Sequence, residues 1–102
     1  MRLHRFLPKP KKPRLLFRRV VGDSMLPTLT PGRIVVGIRP RHLKIGDIVI
    51  VRHEGLEKIK RVKDLLPDRV FIVGDNPGAS TDSHQFGWLP TDVVVARILW
   101  RG

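Results

Sequence analysis

Ser24 lies in the run Val20-Val21-Gly22-Asp23-Ser24-Met25-Leu26-Pro27-Thr28-Leu29. Gly22 admits an unusual backbone and Pro27 restricts the chain after the serine, so Ser24 is expected at a turn after a strand, where a hydroxyl is exposed. A serine hydroxyl becomes a nucleophile only beside a base. The four histidines, His4, His42, His53 and His84, stand at no spacing that argues for a triad. Lysine is the other base. Burial that lowers an amine from about 10.4 towards about 7–8 frees it to take the serine proton, a shift of roughly 4 kcal/mol. In Glu57-Lys58-Ile59-Lys60-Arg61-Val62-Lys63, the two-residue period of a strand puts Lys58 and Lys60 on one face and Ile59 on the other. Both segments also have a plainer reading. Asp23 and Ser24 could cap a short helix beginning at Met25, and a Lys-x-Lys could be a solvated basic edge that discourages strand pairing. By residue type alone the plainer roles are the commoner ones.

A third segment, residues 71–87, is dense in turn formers and short hydroxyls and runs into Phe86, Trp88 and Leu89. So long an irregular stretch in a small domain points to function rather than connection. The alternative is an Asx-rich loop in which Asp75, Asn76, Ser80 and Asp82 accept bonds from their own backbone. Its acids are too few and wrongly spaced for a calcium loop. With no cysteine and no histidine pair at ligand spacing, a zinc site is weakly supported, and no metal or organic cofactor is expected.

These segments must be positioned by a chain of 102 residues, room for one small domain. Residues 1–19 carry eight of the twenty Lys and Arg and none of the nine acids, so the formal charge of +11 is mostly an arm. Residues 1–13, rich in proline and lysine, read as a disordered basic arm, with the domain over 14–102. Short β-branched runs bounded by turn formers predict strands over 33–38, 47–52, 58–63, 69–73 and 93–100. Helical periodicity is nearly absent; only 25–30 or 91–94 could form a turn or so. Ile48 to Val51 is apolar at consecutive positions, so both faces of that strand are covered and a small coiled or closed β-structure is expected. No apolar run approaches the eighteen or so residues that span a bilayer, and the proline-broken start does not read as a signal peptide.

In order and at these spacings, the segments resemble the boxes of the type I signal peptidase family of Ser-Lys peptidases. The serine box is Gly22-Asp23-Ser24-Met25-Leu26-Pro27-Thr28-Leu29, the middle pattern Gly46-Asp47-Ile48-Val49, and the lysine box Lys60-Arg61-Val62. The last box is Gly74-Asp75-Asn76, Ser80-Thr81-Asp82-Ser83-His84 and Phe86-Gly87. The resemblance covers residues 20–100 and implies a mainly β domain of the signal peptidase and LexA-like catalytic type. It implies Ser24 as nucleophile, Lys60 as general base, Ser80 as the hydroxyl that orients the amine, and Asp75, Asp82 and Arg61 in structural ion pairs. The Ser24 N–H would face the oxyanion. The sequence departs from the family in three ways: no membrane anchor precedes the serine box, Gly22 replaces a common serine donor, and His84 replaces an arginine. The last change is expected to weaken a pair to Asp82 or Asp75 and to make the loop sensitive to pH.

The function expected from the resemblance is a bacterial serine endopeptidase that removes an N-terminal leader or signal peptide from a precursor, with Met25 and Leu26 as pocket walls. Within the family, the short form with Arg52-His53 and Gly74-Asp75-Asn76-Pro77 most resembles the nickel-type superoxide dismutase maturation proteases. A cytoplasmic location, peripheral to the membrane, is expected. Two other readings remain. A LexA-type self-cleaving regulator is disfavoured, because no Ala-Gly or similar bond stands between Met1 and Ser24. A non-catalytic module could use residues 1–19 to hold nucleic acid phosphates or an anionic membrane surface.

Overall fold

The computed structural model describes residues 14–101, so the basic arm expected over 1–13 lies outside the described residues. Seven strands are present: β1 (Leu15–Arg19), β2 (Ile34–Ile38), β3 (Ile48–His53), β4 (Leu56–Leu66), β5 (Arg69–Val73), β6 (Leu89–Pro90) and β7 (Val94–Arg101). They form one sheet in the order β1-β2-β7-β3-β4-β5-β6, every pairing antiparallel. The protein is therefore mainly β. The sheet is coiled rather than closed, since β1 and β6 are its two edges. Register shifts at Val36/Gly37, Ile50/Val51 and Val62/Asp64 supply the irregularities that bend such a sheet.

Ile48, Val49, Ile50 and Val51 are all buried. Val49 and Val51 join Val62, Val70, Ile72, Leu89 and Val94 in one core, whereas Ile48 joins Val20, Met25, Leu29 and Val35 in a second. Both faces of β3 are covered, as its unbroken apolar run requires. The β3–β4 hairpin turns through Glu54 and Gly55, both at positive φ, the backbone that a tight two-residue hairpin demands. That turn extends the pairing from His53↔Leu56 to Ile48↔Arg61, so β4 is longer than the strand expected over 58–63.

Residues 24–28 form turns rather than a helix, held by Leu26 N–H to Asp23 O and Leu29 N–H to Met25 O. Pro27 contributes no N–H and disfavours the helical region at Leu26. One short helix, α1 (Ser83–Phe86), interrupts the last loop. The helical periodicity gave no sign of it, although Asp82 and Gln85 form a capping box at the usual spacing.

Candidate active site

Lys60 sits midway along β4, opposite Val49 of β3. The alternation that turns Ile59 and Arg61 to the other face carries its side chain towards the core, leaving the residue 4% exposed. Burial lowers its pKa below the ordinary lysine value, the Asp82 carboxylate opposes that shift, and the Lys58 charge adds to it. β5 pairs β4 only from Arg61 onward, so Lys58 and Lys60 lie on a stretch joined to β3 alone, but the burial of Lys60 overturns its reading as a solvated basic edge. Tertiary packing, which no local pattern encodes, decides the point.

The Lys60 amine donates to Ser80 Oγ at 2.9 Å, and Ser80 donates onward to Asp82 Oδ2 at 2.9 Å. The Asp82 carboxylate also accepts from the Gly74 N–H at 2.9 Å and the His84 N–H at 3.0 Å. Burial pushes the Asp82 pKa up, but these hydrogen bonds together hold it below the usual aspartate value. His84 Nδ1 lies 3.1 Å from Asp82 Oδ1. Asp82 is thus both the N-cap of α1 and the fixed end of a chain that reaches Lys60.

Arg61, on the opposite face from Lys60, forms a two-bond pair with Asp75, Nε to Oδ1 at 2.8 Å and Nη2 to Oδ2 at 2.7 Å. This pair raises the Arg61 pKa. The Thr28 hydroxyl donates to the same carboxylate, and Arg61 Nη1 reaches Gly46 O at 2.7 Å. Asp75 therefore joins the Ser24 turn, β4 and the loop after β5. The implied pairing of Asp75 falls to Arg61, leaving His84 for Asp82.

Ser24 is held by its backbone. Its carbonyl accepts from the Asn76 N–H at 2.8 Å, and Asn76 Nδ2 donates to Asp23 O at 3.1 Å. Gly74 lies between the two serines: a Cβ there would come within 2.3 Å of Ser80 Oγ and 2.6 Å of Ser24 O. Only glycine lets the Ser24 backbone and the Ser80 hydroxyl approach from either side. Among the described residues, neither the N–H nor the hydroxyl of Ser24 has a hydrogen bond, and the Lys60 amine bonds Ser80 rather than Ser24. The helix-cap reading of Ser24 is not what the turn uses.

The other expected site residues lie around this group. Gly22 is exposed at φ +78°, with open space where a Cβ would stand. Met25 is buried in the second core beneath the turn, and Leu26 is half-buried beside it. Phe86, from the last box, and His53 also meet here. Phe86 of α1 lies against His53 with 4.4 Å between ring centroids and the rings tilted by 39°, and its ring carries the Lys58 ammonium 5.1 Å from its centre. The described residues contain no group of three or more His, Asp or Glu able to hold a metal ion.

A family model described as Peptidase S24-like matches residues 4–86. The mitochondrial ATP-independent inner membrane protease subunit 1b of Arabidopsis thaliana is 32% identical over 110 aligned positions, which take in 78% of this chain and 65% of the relative. This chain thus spans 65% of that relative's length.

Proposed function

The chain belongs to the Peptidase S24-like family, among the signal peptidase-like Ser-Lys peptidases, and from that premise we propose that it is a serine endopeptidase with Ser24 as nucleophile and Lys60 as general base. The observation that carries this reading is the buried Lys60 amine, below its ordinary pKa and bonded to the Ser80 hydroxyl at 2.9 Å. Ser80 donates its own proton to Asp82, so it can only accept from Lys60. That bond uses one N–H of the neutral amine and leaves its lone pair for the Ser24 hydroxyl.

In the reaction, Lys60 takes the Ser24 proton as Oγ attacks the scissile carbonyl. The tetrahedral oxyanion meets the Ser24 N–H, a donor with no other partner among the described residues. The ammonium of Lys60 then returns the proton to the leaving amine, and an acyl-enzyme remains. A water deprotonated by the same amine attacks the ester and releases Ser24. Gly22 brings no hydroxyl to the oxyanion, which leaves the work to backbone donors. Leu26 walls the pocket for the residue before the cut, over a floor that includes Met25.

The substrate is a precursor protein whose leader or signal peptide binds extended, through main-chain hydrogen bonds along a strand edge. Within that class we place the nickel superoxide dismutase precursor first, on the box residues around Arg52-His53 and Asn76-Pro77. A peripheral place at an anionic membrane surface fits the exposed Leu15 and Phe17 beside Arg14 and Arg19. No helix among the described residues is long and apolar enough to cross a membrane.

The test is mass-resolved cleavage of that precursor and of an Ala-x-Ala signal peptide by the wild type, Ser24→Ala and Lys60→Met. Cleavage by the wild type alone is expected, and the preferred precursor assigns the substrate. Cleavage retained by either variant rules out the dyad.

A further inference from the structure

Lys58 and Lys60 share one face of β4, set opposite Val51 and Val49 of β3, and the Phe86 ring of α1 lies against Lys58. Two residues along a strand separate them by about 7 Å. Lys58 is half-buried, and its ammonium lies 5.1 Å from the centre of the Phe86 ring. The negative face of an aromatic ring favours a cation. Phe86 also packs against His53 at 4.4 Å between ring centroids, a contact that restrains the ring that receives the charge. A long lysine side chain free in water would swing away from a like charge; this one is held.

We propose that Lys58, clamped on Phe86, is a positioning residue that keeps a fixed positive charge beside Lys60 and so favours the neutral amine of its neighbour. The inference rests on Lys60 acting as the base. An adjacent cation is one established way to prepare a lysine for chemistry. It acts here across a partly buried gap, where screening is weaker than in water.

The other charges around Lys60 pull in different directions. From α1 and its cap, Asp82 favours the protonated amine through Ser80, with His84 bonded to Asp82 on its solvent side. From β3, Val49 is apolar, and His53 lies beyond Lys58 with Glu54 3.8 Å from its Nε2. On β4 itself, Arg61 faces away and is paired with Asp75. In the Ser24 turn, Asp23 is exposed. Burial lowers the Lys60 pKa most, Asp82 works against it, and Lys58 works with it. Because Asp82 is needed to orient Ser80, a second cation offsets its pull on the amine without disturbing that bond.

The experiment is a carbon-13 NMR titration of the Lys60 side chain, assigned by its loss in Lys60→Arg, run beside the pH profile of kcat/KM on the cleaved precursor. Wild type, Lys58→Met, Lys58→Gln, Lys58→Arg and Phe86→Leu are compared, each checked for folding by its amide spectrum. Both neutral replacements should move the Lys60 midpoint and the rising limb of activity to higher pH. Cleavage at neutral pH then falls about threefold or more through kcat and returns at alkaline pH. Phe86→Leu should move both the same way but less, and Lys58→Arg should restore the wild-type midpoint. An unmoved Lys60 midpoint in folded Lys58→Met or Lys58→Gln overturns the inference. A moved midpoint in a protein that cleaves nothing would uphold the coupling of the two lysines and remove the peptidase reading instead.

Discussion

A lysine amine at 4% exposure is a cost to the fold. Its folded pKa is lowered from 10.5, so between that lowered value and 10.5 the unfolded chain binds more protons than the folded one. Stability therefore rises with pH through that window, and the penalty is fully present below it. Lys60→Met, similar in shape and without the charge, should inactivate the enzyme yet melt higher at neutral pH. A gain of about 1 kcal/mol reads as roughly 4–8 °C, and the gap should close as pH approaches 10.5. A variant that melts lower at every pH would show that the amine contributes more through its bond to Ser80 than its burial costs. Ser80 poses the complementary question. Ser80→Ala removes the acceptor that aims the amine but leaves Asp82 its two backbone donors. We expect kcat to fall by about 10–100-fold with KM nearly unchanged, since misaiming a catalytic group by about 1 Å has that order of effect. Equal losses in kcat and in melting temperature for Ser80→Ala and Asp82→Asn would mean the chain is merely structural.

At the scale of elements, three segments distant in sequence meet at Asp75, and magnitudes separate this junction from ordinary surface pairing. The Arg18–Glu57 pair bridges β1 and β4 between side chains 37% and 28% exposed, and contributes about 0.5 kcal/mol. Asp75 is only 15% exposed and accepts from both Arg61 and Thr28. Asp75→Asn should thus cost about 1–3 kcal/mol in urea unfolding and, by loosening the Ser24 turn against β4, lower kcat as well. An effect no larger than that of Glu57→Gln would remove Asp75 from the framework of the site. The elements themselves were legible unevenly. Alternation and turn formers marked β2, β3, β5 and β7, because each is short, β-branched and bounded by glycine or proline. β4 outran its apolar pattern since Asp64 and Leu66 pair with β5 whatever their side chains. The close approach at Gly74 was invisible, since Gly-Asp-Asn reads equally well as a turn in solvent. Yet a Cβ there would strike both serines.

For the whole molecule, the sequence disclosed the class of fold through the buried run at 48–51 and the order of the site segments, but neither the strand order nor which surfaces stay bare. The bare surface matters because of where the charge lies. Residues 1–19 hold eight bases and no acids, and within them Leu15 is 49% and Phe17 61% exposed on the outer strand of the sheet, flanked by exposed Arg14 and Arg19. Positive charge alone gives adsorption that salt abolishes, and a few apolar side chains alone give weak partition; the proposed peripheral attachment to an anionic leaflet would combine the two. Each part has its own signature. Sedimentation with vesicles containing anionic lipid should show binding at low salt that falls steeply as the Debye length shrinks from about 10 Å at 0.1 M to about 3 Å at 1 M. Vesicles of zwitterionic lipid should bind little at any salt. Phe17→Ser should weaken binding about tenfold at fixed salt, the effect of withdrawing one aromatic side chain from an apolar phase. Cleavage of a soluble precursor should be untouched, because Phe17 is exposed and none of the site's bonds involves its side chain. Salt-independent binding, or Phe17→Ser bound as tightly as wild type, would detach the basic segment from any membrane role and leave its charge to be explained by a nucleic acid or an acidic region of the precursor itself.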